Sequence, residues 1–200
     1  MATWVIDLTR PQEEIFHEMS ETTRYEVRRA EEKDGFLLEA SWQPGAGEIA
    51  AFAGFYAPLA RRKKLDPISP GYLGLLSGSG HLYFSRASAP GGKILAWHAH
   101  YVCGGRARLL HSASSPDAGQ HSLIARANRW LHWRDFLAFR ERGIPLYDFG
   151  GIYTGNTDQA LLKINHFKEM FGGRREDAVS YALPRTARGR AYLLLRRLLR

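Results

Sequence analysis

One cysteine, Cys103, is all the thiol the 200 residues contain, so an intrachain disulfide and a cysteine-rich metal site are both excluded. Cys103 precedes Gly104 and Gly105 in a turn and has no base partner at a catalytic spacing, which predicts a partly buried, unreactive thiol. Long apolar runs are missing too: none approaches the ~18 residues that a bilayer crossing needs. The opening MATWVIDLTRPQEE has neither the basic segment nor the long apolar stretch of a secretory leader, which points to the cytoplasm. No Gly-x-Ser-x-Gly elbow surrounds Ser112, Ser114 or Ser115, so serine hydrolase chemistry is not expected. Acid is absent from residues 185–200, RTARGRAYLLLRRLLR, which carry six arginines and account for most of the formal charge of +8.

What is present describes a soluble globular chain. A hydrophobic fraction of 44%, a charged fraction of 24% and ten Phe, nine Tyr and five Trp supply a core for one domain. We expect that domain to span residues 1–184, followed by a basic helix or tail at 185–200. Such a tail either meets phosphate, of RNA or of an anionic membrane, or packs Tyr192, Leu195 and Leu199 on the body and leaves its arginines in water. On the TTRYEVRRAEEKDG segment, Arg24, Arg28 and Arg29 interleave with Glu26, Glu31 and Glu32, the pattern of a solvated, self-paired face. His98 and His100 alternate on one strand with His111 opposite, but no carboxylate stands at a matching spacing; we read solvent-facing histidines and assign no metal.

Periodicity orders the chain. Trp4 to Leu8 reads as a strand, and Thr9 stands three residues before Gln12 as in a capping box. Helical segments follow, the second ended by Asp34-Gly35, then the strand FLLEAS and the helix IAAFAGFYAPLARRKKL, interrupted by Pro58. From His81 the period becomes two: HLYFSRAS, KILAWHAHYV and RARLLHSAS form an antiparallel meander with glycine pairs in its turns. A long helix, SLIARANRWLHWRDFLAFRERG, places Leu123, Ala127, Trp130 and Leu137 on one face, with Arg134 among them. The strand IPLYDF, the helix TDQALLKINHFKEMFG and the strand REDAVSYAL complete an α/β (α+β) chain with a mostly antiparallel sheet flanked by helices.

The stretch YDFGGIYTGNTDQALLKINHFKEMFGG concentrates the chemistry. A strand end runs into Gly150 and Gly151, where backbone can approach a ligand closely. Asn156 and Asp158 can cap the next helix, and Lys163 and Lys168 fall on different faces of it. YDFGGI with INHFKEMFGG, preceded by TTRYEVRRAEEKDG, resembles the Fem-type, peptidoglycan-bridge aminoacyltransferases over nearly the whole chain. The resemblance implies a GNAT-like N-acyltransferase fold. It also implies transfer of an aminoacyl or acyl group from aminoacyl-tRNA or acyl-coenzyme A, with no tightly bound cofactor, to an amine acceptor. It places the family's phenylalanine–lysine pair on Phe167-Lys168, so that Lys168 meets the oxyanion. Asp148, His166 or water takes the amine proton. We expect Gly150, Gly151, Tyr153, Asn156 and Lys163 to line the acceptor cleft, and Ser122, Arg126, Arg129 and Phe167 to hold the donor. Tandem members place a lipid-linked acceptor between two such modules, so a chain resembling only the second implies a different acceptor or a homodimer. Phosphate-binding acetyltransferase loops run Gln/Arg-x-x-Gly-x-Gly/Ala, whereas Gly119 is isolated in SSPDAGQHSLIARANR. The competing reading is a non-catalytic module that docks RNA or an anionic membrane through its tail.

Overall fold

The computed structural model describes residues 2–179, 184 and 186–198. A seven-stranded sheet, ordered β2-β3-β4-β5-β6-β1-β7, organises it. The strands are β1 (Ala2–Asp7), β2 (Leu37–Trp42), β3 (Leu82–Ser88), β4 (Ile94–Cys103), β5 (Arg106–Ser114), β6 (Leu146–Ile152) and β7 (Arg174–Asp177). Every neighbouring pair is antiparallel except β5 and β6. The helices are α1 (Gln12–Glu18), α2 (Glu21–Arg29), α3 (Ala46–Lys63), α4 (Pro70–Gly78), α5 (His121–Glu141), α6 (Gln159–Glu169) and α7 (Ala187–Leu198).

The sheet is covered on both faces. On β3 and β4, Tyr83, Ala96, His98 and His100 turn toward α5, while Phe84, Trp97 and Ala99 turn toward α3 and α4. His98 and His100 are therefore fully buried rather than solvent-facing: β4 is a central strand, and its alternation separates two cores rather than a core from water. His111 lies on the opposite face against Phe52 and Tyr56 and does not join them.

Other expectations shift for local reasons. Thr9 bonds to Asp7 instead of capping α1, whose N-cap is Pro11. Pro58 lies inside α3 without ending it. α4 was not expected, although Ser69 caps it and Pro70 opens it. The buried stripe of α5 runs through Ala127, Leu131, Asp135 and Phe139, so Arg134 falls beside it and reaches Glu31 at 3.9 Å. Glu26 of α2 likewise turns to α5, 3.0 Å from Arg129, instead of pairing with the arginines of its own segment. Cys103 is exposed. The last strand begins at Arg174; Ser180 to Leu183 of the expected REDAVSYAL strand lie outside the described residues.

Two features shape the end of the sheet where a ligand can enter. β5 pairs with β6 only from Arg106 to Arg108, so the strands part beyond Arg108. A bulge at the same place shifts the β4–β5 register between Ala99 and His100, a device that re-aims side chains beside functional sites. Gly173 closes the turn from α6 into β7 with φ +85, and a Cβ there would collide with the Val5 carbonyl oxygen. Gly173→Ala is expected to destabilise the domain by about 2 kcal/mol, from left-handed backbone strain plus that clash. Urea denaturation checks it, and an unchanged midpoint would refute it.

Candidate active site

Asp158 caps α6, its side chain accepting the Ala160 and Leu161 N–H groups at 2.9 and 3.1 Å. Asn165 ties the preceding loop to the helix, accepting the Tyr153 N–H at 3.0 Å and donating to the Tyr153 carbonyl at 2.7 Å. Together these clamps bring the last turn of α6 against the end of β6. Lys168 is 8% exposed there and donates to the Gly151 carbonyl at 2.6 Å and the Gly150 carbonyl at 3.4 Å. Burial lowers its pKa; Asp148 opposes that shift and Arg108 adds to it. Two of three ammonium hydrogens are engaged, which leaves a third for a developing anion.

Asp148, two residues before Gly150 on β6, is buried. It accepts from Thr3, from the Gly150 N–H at 2.7 Å and from Arg106 at 3.0 Å, and Arg106 also pairs with Glu176. A carboxylate with this many donors is a fixed anchor for the Gly150-Gly151 turn. Gly150 has φ +80, and a Cβ on it would sit 3.5 Å from the Leu109 carbonyl oxygen, at the point where β5 leaves β6.

A cleft of about 440 Å³ opens on the other side of Phe167. Arg62 of α3, Ser112 and Ser114 of β5, and His121, Asn128 and Arg129 of α5 line it, and no acid does among the described residues. Arg129 lies over the Phe167 ring at 5.4 Å. The structure thus gathers Phe167 and Arg129 at the cleft and Lys168, Asp148, Gly150 and Gly151 at the adjoining strand end. Ser122 is exposed and does not line the cleft, and Arg126 is committed to Asp34 through bonds of 2.7 and 3.1 Å. Tyr153 is half-buried, with its hydroxyl 3.1 Å from Thr157, while Asn156 and Lys163 are exposed on the outer side of the same loop and helix. His166 is exposed beside Glu169. Arg62, Ser112, His121 and Asn128 escaped sequence reading because their elements are far apart in sequence and no spacing links them.

A family model described as an acetyltransferase (GNAT) domain matches residues 18–169. The chain belongs to that family. This GNAT domain is accordingly an acyltransferase. No curated protein sequence matches it. Among solved structures it is similar to FemX, at 15% identity and a TM-score of 0.73, over 87% of this chain and 59% of that one. It is similar also to the C-terminal domain of a putative lysylphosphatidylglycerol synthetase from Agrobacterium fabrum, at 17% identity and 0.60, over 88% and 57%. An aminoglycoside acetyltransferase from an uncultured soil metagenomic sample matches at 13% and 0.51, over 74% and 96%. The GNAT domain spans less than two thirds of the first two chains, and identities this low establish the fold they share.

Two details set this GNAT domain's site apart. The Gly119 N–H, the donor that a phosphate loop would present, is taken by the Asp117 side chain at 3.0 Å, and Asp117 pairs with Lys93. The second detail is a buried cluster beneath the cleft, where donor atoms of His98, His132 and Asp135 lie within 4.8 Å of one another. His98 Nδ1 stands 2.7 Å from Asp135 Oδ2, a hydrogen-bond length, whereas ligands on one tetrahedral zinc stand ~3.3 Å apart. The His98 and His132 rings stack at 4.2 Å and 32°, which does not aim their lone pairs at one point. The geometry is that of a hydrogen-bonded network.

Proposed function

We propose that this GNAT domain is an N-acyltransferase that holds a phosphate-bearing acyl donor in the α3–β5–α5 cleft and passes its acyl or aminoacyl group to an amine beside Lys168. The cleft carries the reading: Arg62 and His121 line it together with Arg129, whose guanidinium also pairs with Glu26 of α2, no acid stands in the lining among the described residues, and it ends at Phe167, next to Lys168. Basic walls concentrate a polyanionic ligand. With Gly119 occupied by Asp117, these side chains take over the phosphates from the loop backbone. Acyl-coenzyme A, the general co-substrate of GNAT domains, and aminoacyl-tRNA both present phosphate.

The amine nitrogen attacks the donor's carbonyl carbon, a C–N bond forms, and the negative charge that collects on oxygen meets Lys168. Collapse breaks the C–S or C–O bond, and the departing thiolate or alkoxide gains a proton as the amine loses one. Water carries that proton, since Asp148 is engaged in positioning Gly150 and His166 points outward. A thermal-shift comparison of acetyl-coenzyme A, longer acyl-coenzyme A species, and charged and uncharged tRNA tests the donor, because a ligand of the folded state raises the melting temperature. A shift with acyl-coenzyme A or with charged tRNA identifies the donor; no shift with any of them contradicts the reading.

A second observation concerns partners. Tyr192, Leu194 and Leu195 of α7 are 62%, 63% and 59% exposed, so Tyr192 and Leu195 are not packed on the body; Leu199 lies outside the described residues. No helix of the described residues is long and apolar enough to cross a membrane. An exposed helix of leucine, tyrosine and arginine has the composition of one that lies along an anionic surface, which supports peripheral membrane contact. Sedimentation with phosphatidylglycerol vesicles is expected to fail once residues 185–200 are deleted; retention of the deleted form would refute that contact.

A further inference from the structure

Asn128 lines the donor cleft from α5, and its side chain is held from beneath. Its Oδ1 faces His98 Nε2 at 3.0 Å and Ser112 Oγ at 3.5 Å. The other ring nitrogen of His98, Nδ1, faces Asp135 Oδ2 at 2.7 Å, and both His98 and Asp135 are fully buried. Asp135 lies two helical turns after Asn128 on α5, so one face of the helix carries both ends of the chain of bonds.

Both ring nitrogens of His98 face oxygen atoms, Asp135 Oδ2 on one side and Asn128 Oδ1 on the other. That arrangement gives the buried Asp135 carboxylate a partner, which a carboxylate removed from water requires. It also fixes the amide of Asn128. With Oδ1 turned down onto His98 and Ser112, the geminal amino group turns away from them, and it makes no hydrogen bond among the described residues. The cleft otherwise offers cationic side chains, suited to phosphate. A neutral, pre-oriented N–H pair suits a neutral oxygen.

We propose that Asn128 is a donor-recognition residue whose amide N–H binds a carbonyl oxygen of the acyl donor, and that His98 and Asp135 are positioning residues that set its orientation. The inference rests on the N-acyltransferase reading and deepens it: the donor must carry a carbonyl acceptor at this depth in addition to its phosphates. A hydrogen bond formed equally in the bound and transition states raises KM when lost and leaves kcat in place.

Steady-state kinetics with acetyl-coenzyme A and with glycyl-tRNA, run in parallel, test it on the full chain. Asn128→Ala and Asn128→Asp are expected to raise the donor KM about tenfold, with kcat within about twofold. Asn128→Asp has the greater effect, because it faces the carbonyl with an acceptor of the same shape. His98→Phe is expected to raise KM as Asn128→Ala does, and the double variant to add nothing further, since both remove one interaction. A melting curve for each variant separates misfolding from lost positioning, and the half-buried Asn128 variants carry the test if His98→Phe does not fold. Donor KM unchanged in both Asn128 variants of an active enzyme overturns the inference and leaves the acyltransferase reading standing. No turnover by the wild-type chain with either donor overturns the reading itself, and the inference with it.

Discussion

Lys168→Met is expected to lower turnover on the order of 100- to 1000-fold, the usual cost of removing one oxyanion donor, while the domain remains folded. The side chain ends α6 and touches the two carbonyls of the Gly150-Gly151 turn, so its loss leaves the main core untouched. The same residue sets an alkaline limit. Only the ammonium form stabilises an oxyanion, and burial, with Arg108 adding to it and Asp148 opposing, lowers the Lys168 pKa below 10.5. Activity therefore falls with rising pH before an ordinary lysine would titrate. In Lys168→Arg, whose guanidinium does not deprotonate, that limb disappears. Stability moves the other way. The unfolded chain holds the Lys168 proton more tightly than the folded one, so stability rises with pH between the lowered value and 10.5. A pH–rate profile and a denaturation series over the same range read both signs, and parallel rather than opposite trends would contradict the assignment.

Acid is expected to destabilise the domain by about 3 kcal/mol between pH 6.5 and pH 4 through His100 alone. Burial pushes His100 down to about 4, Asp135 opposing and His98 adding, and burial holds His132 well below its ordinary value. Both rings lie against the Tyr147 hydroxyl, at 3.1 and 3.0 Å, so the hydroxyl donates to one and accepts from the other when both are neutral. These histidines have depressed values, so the unfolded chain takes up protons first as pH falls. The stability they allow is whole above about pH 6.5 and lost toward pH 4. Urea denaturation at pH 7, 5 and 4 measures the loss. His100→Gln should flatten the dependence, and an equally steep loss in that variant would place the sensitive groups elsewhere.

How much of this was legible in the sequence depended on whether the signal was local. The β3–β4–β5 meander follows from period-two alternation broken by glycine pairs, and the α6 cap follows from Asp158 before an apolar run. The separation of Lys163 from Lys168 is simple helical geometry, and the exposed Lys163 and buried Lys168 agree with it. The histidine network was misread because alternation tells two faces apart without saying that both are covered. α4 was hidden by Gly71, Gly74 and Gly78, which lower helix propensity, although Ser69-Pro70 is a cap followed by a proline at the first helical position. Arg126 looked like a phosphate ligand, and its neutralising partner Asp34 is remote in sequence, at the end of the π-helical turn Ala30–Asp34 that follows α2. The cleft itself is assembled from α3, β5, α5 and α6, whose proximity only the sheet order creates.

The most direct test of the account is donor binding at increasing salt by the wild-type chain and by Arg62→Gln/Arg129→Gln, with acetyl-coenzyme A and an aminoacyl-tRNA titrated in parallel. At least one donor is expected to bind, with an affinity that falls with salt as phosphate contacts are screened and that the double substitution weakens tenfold or more. Binding that neither salt nor the two substitutions alter, or binding of neither donor, would contradict it.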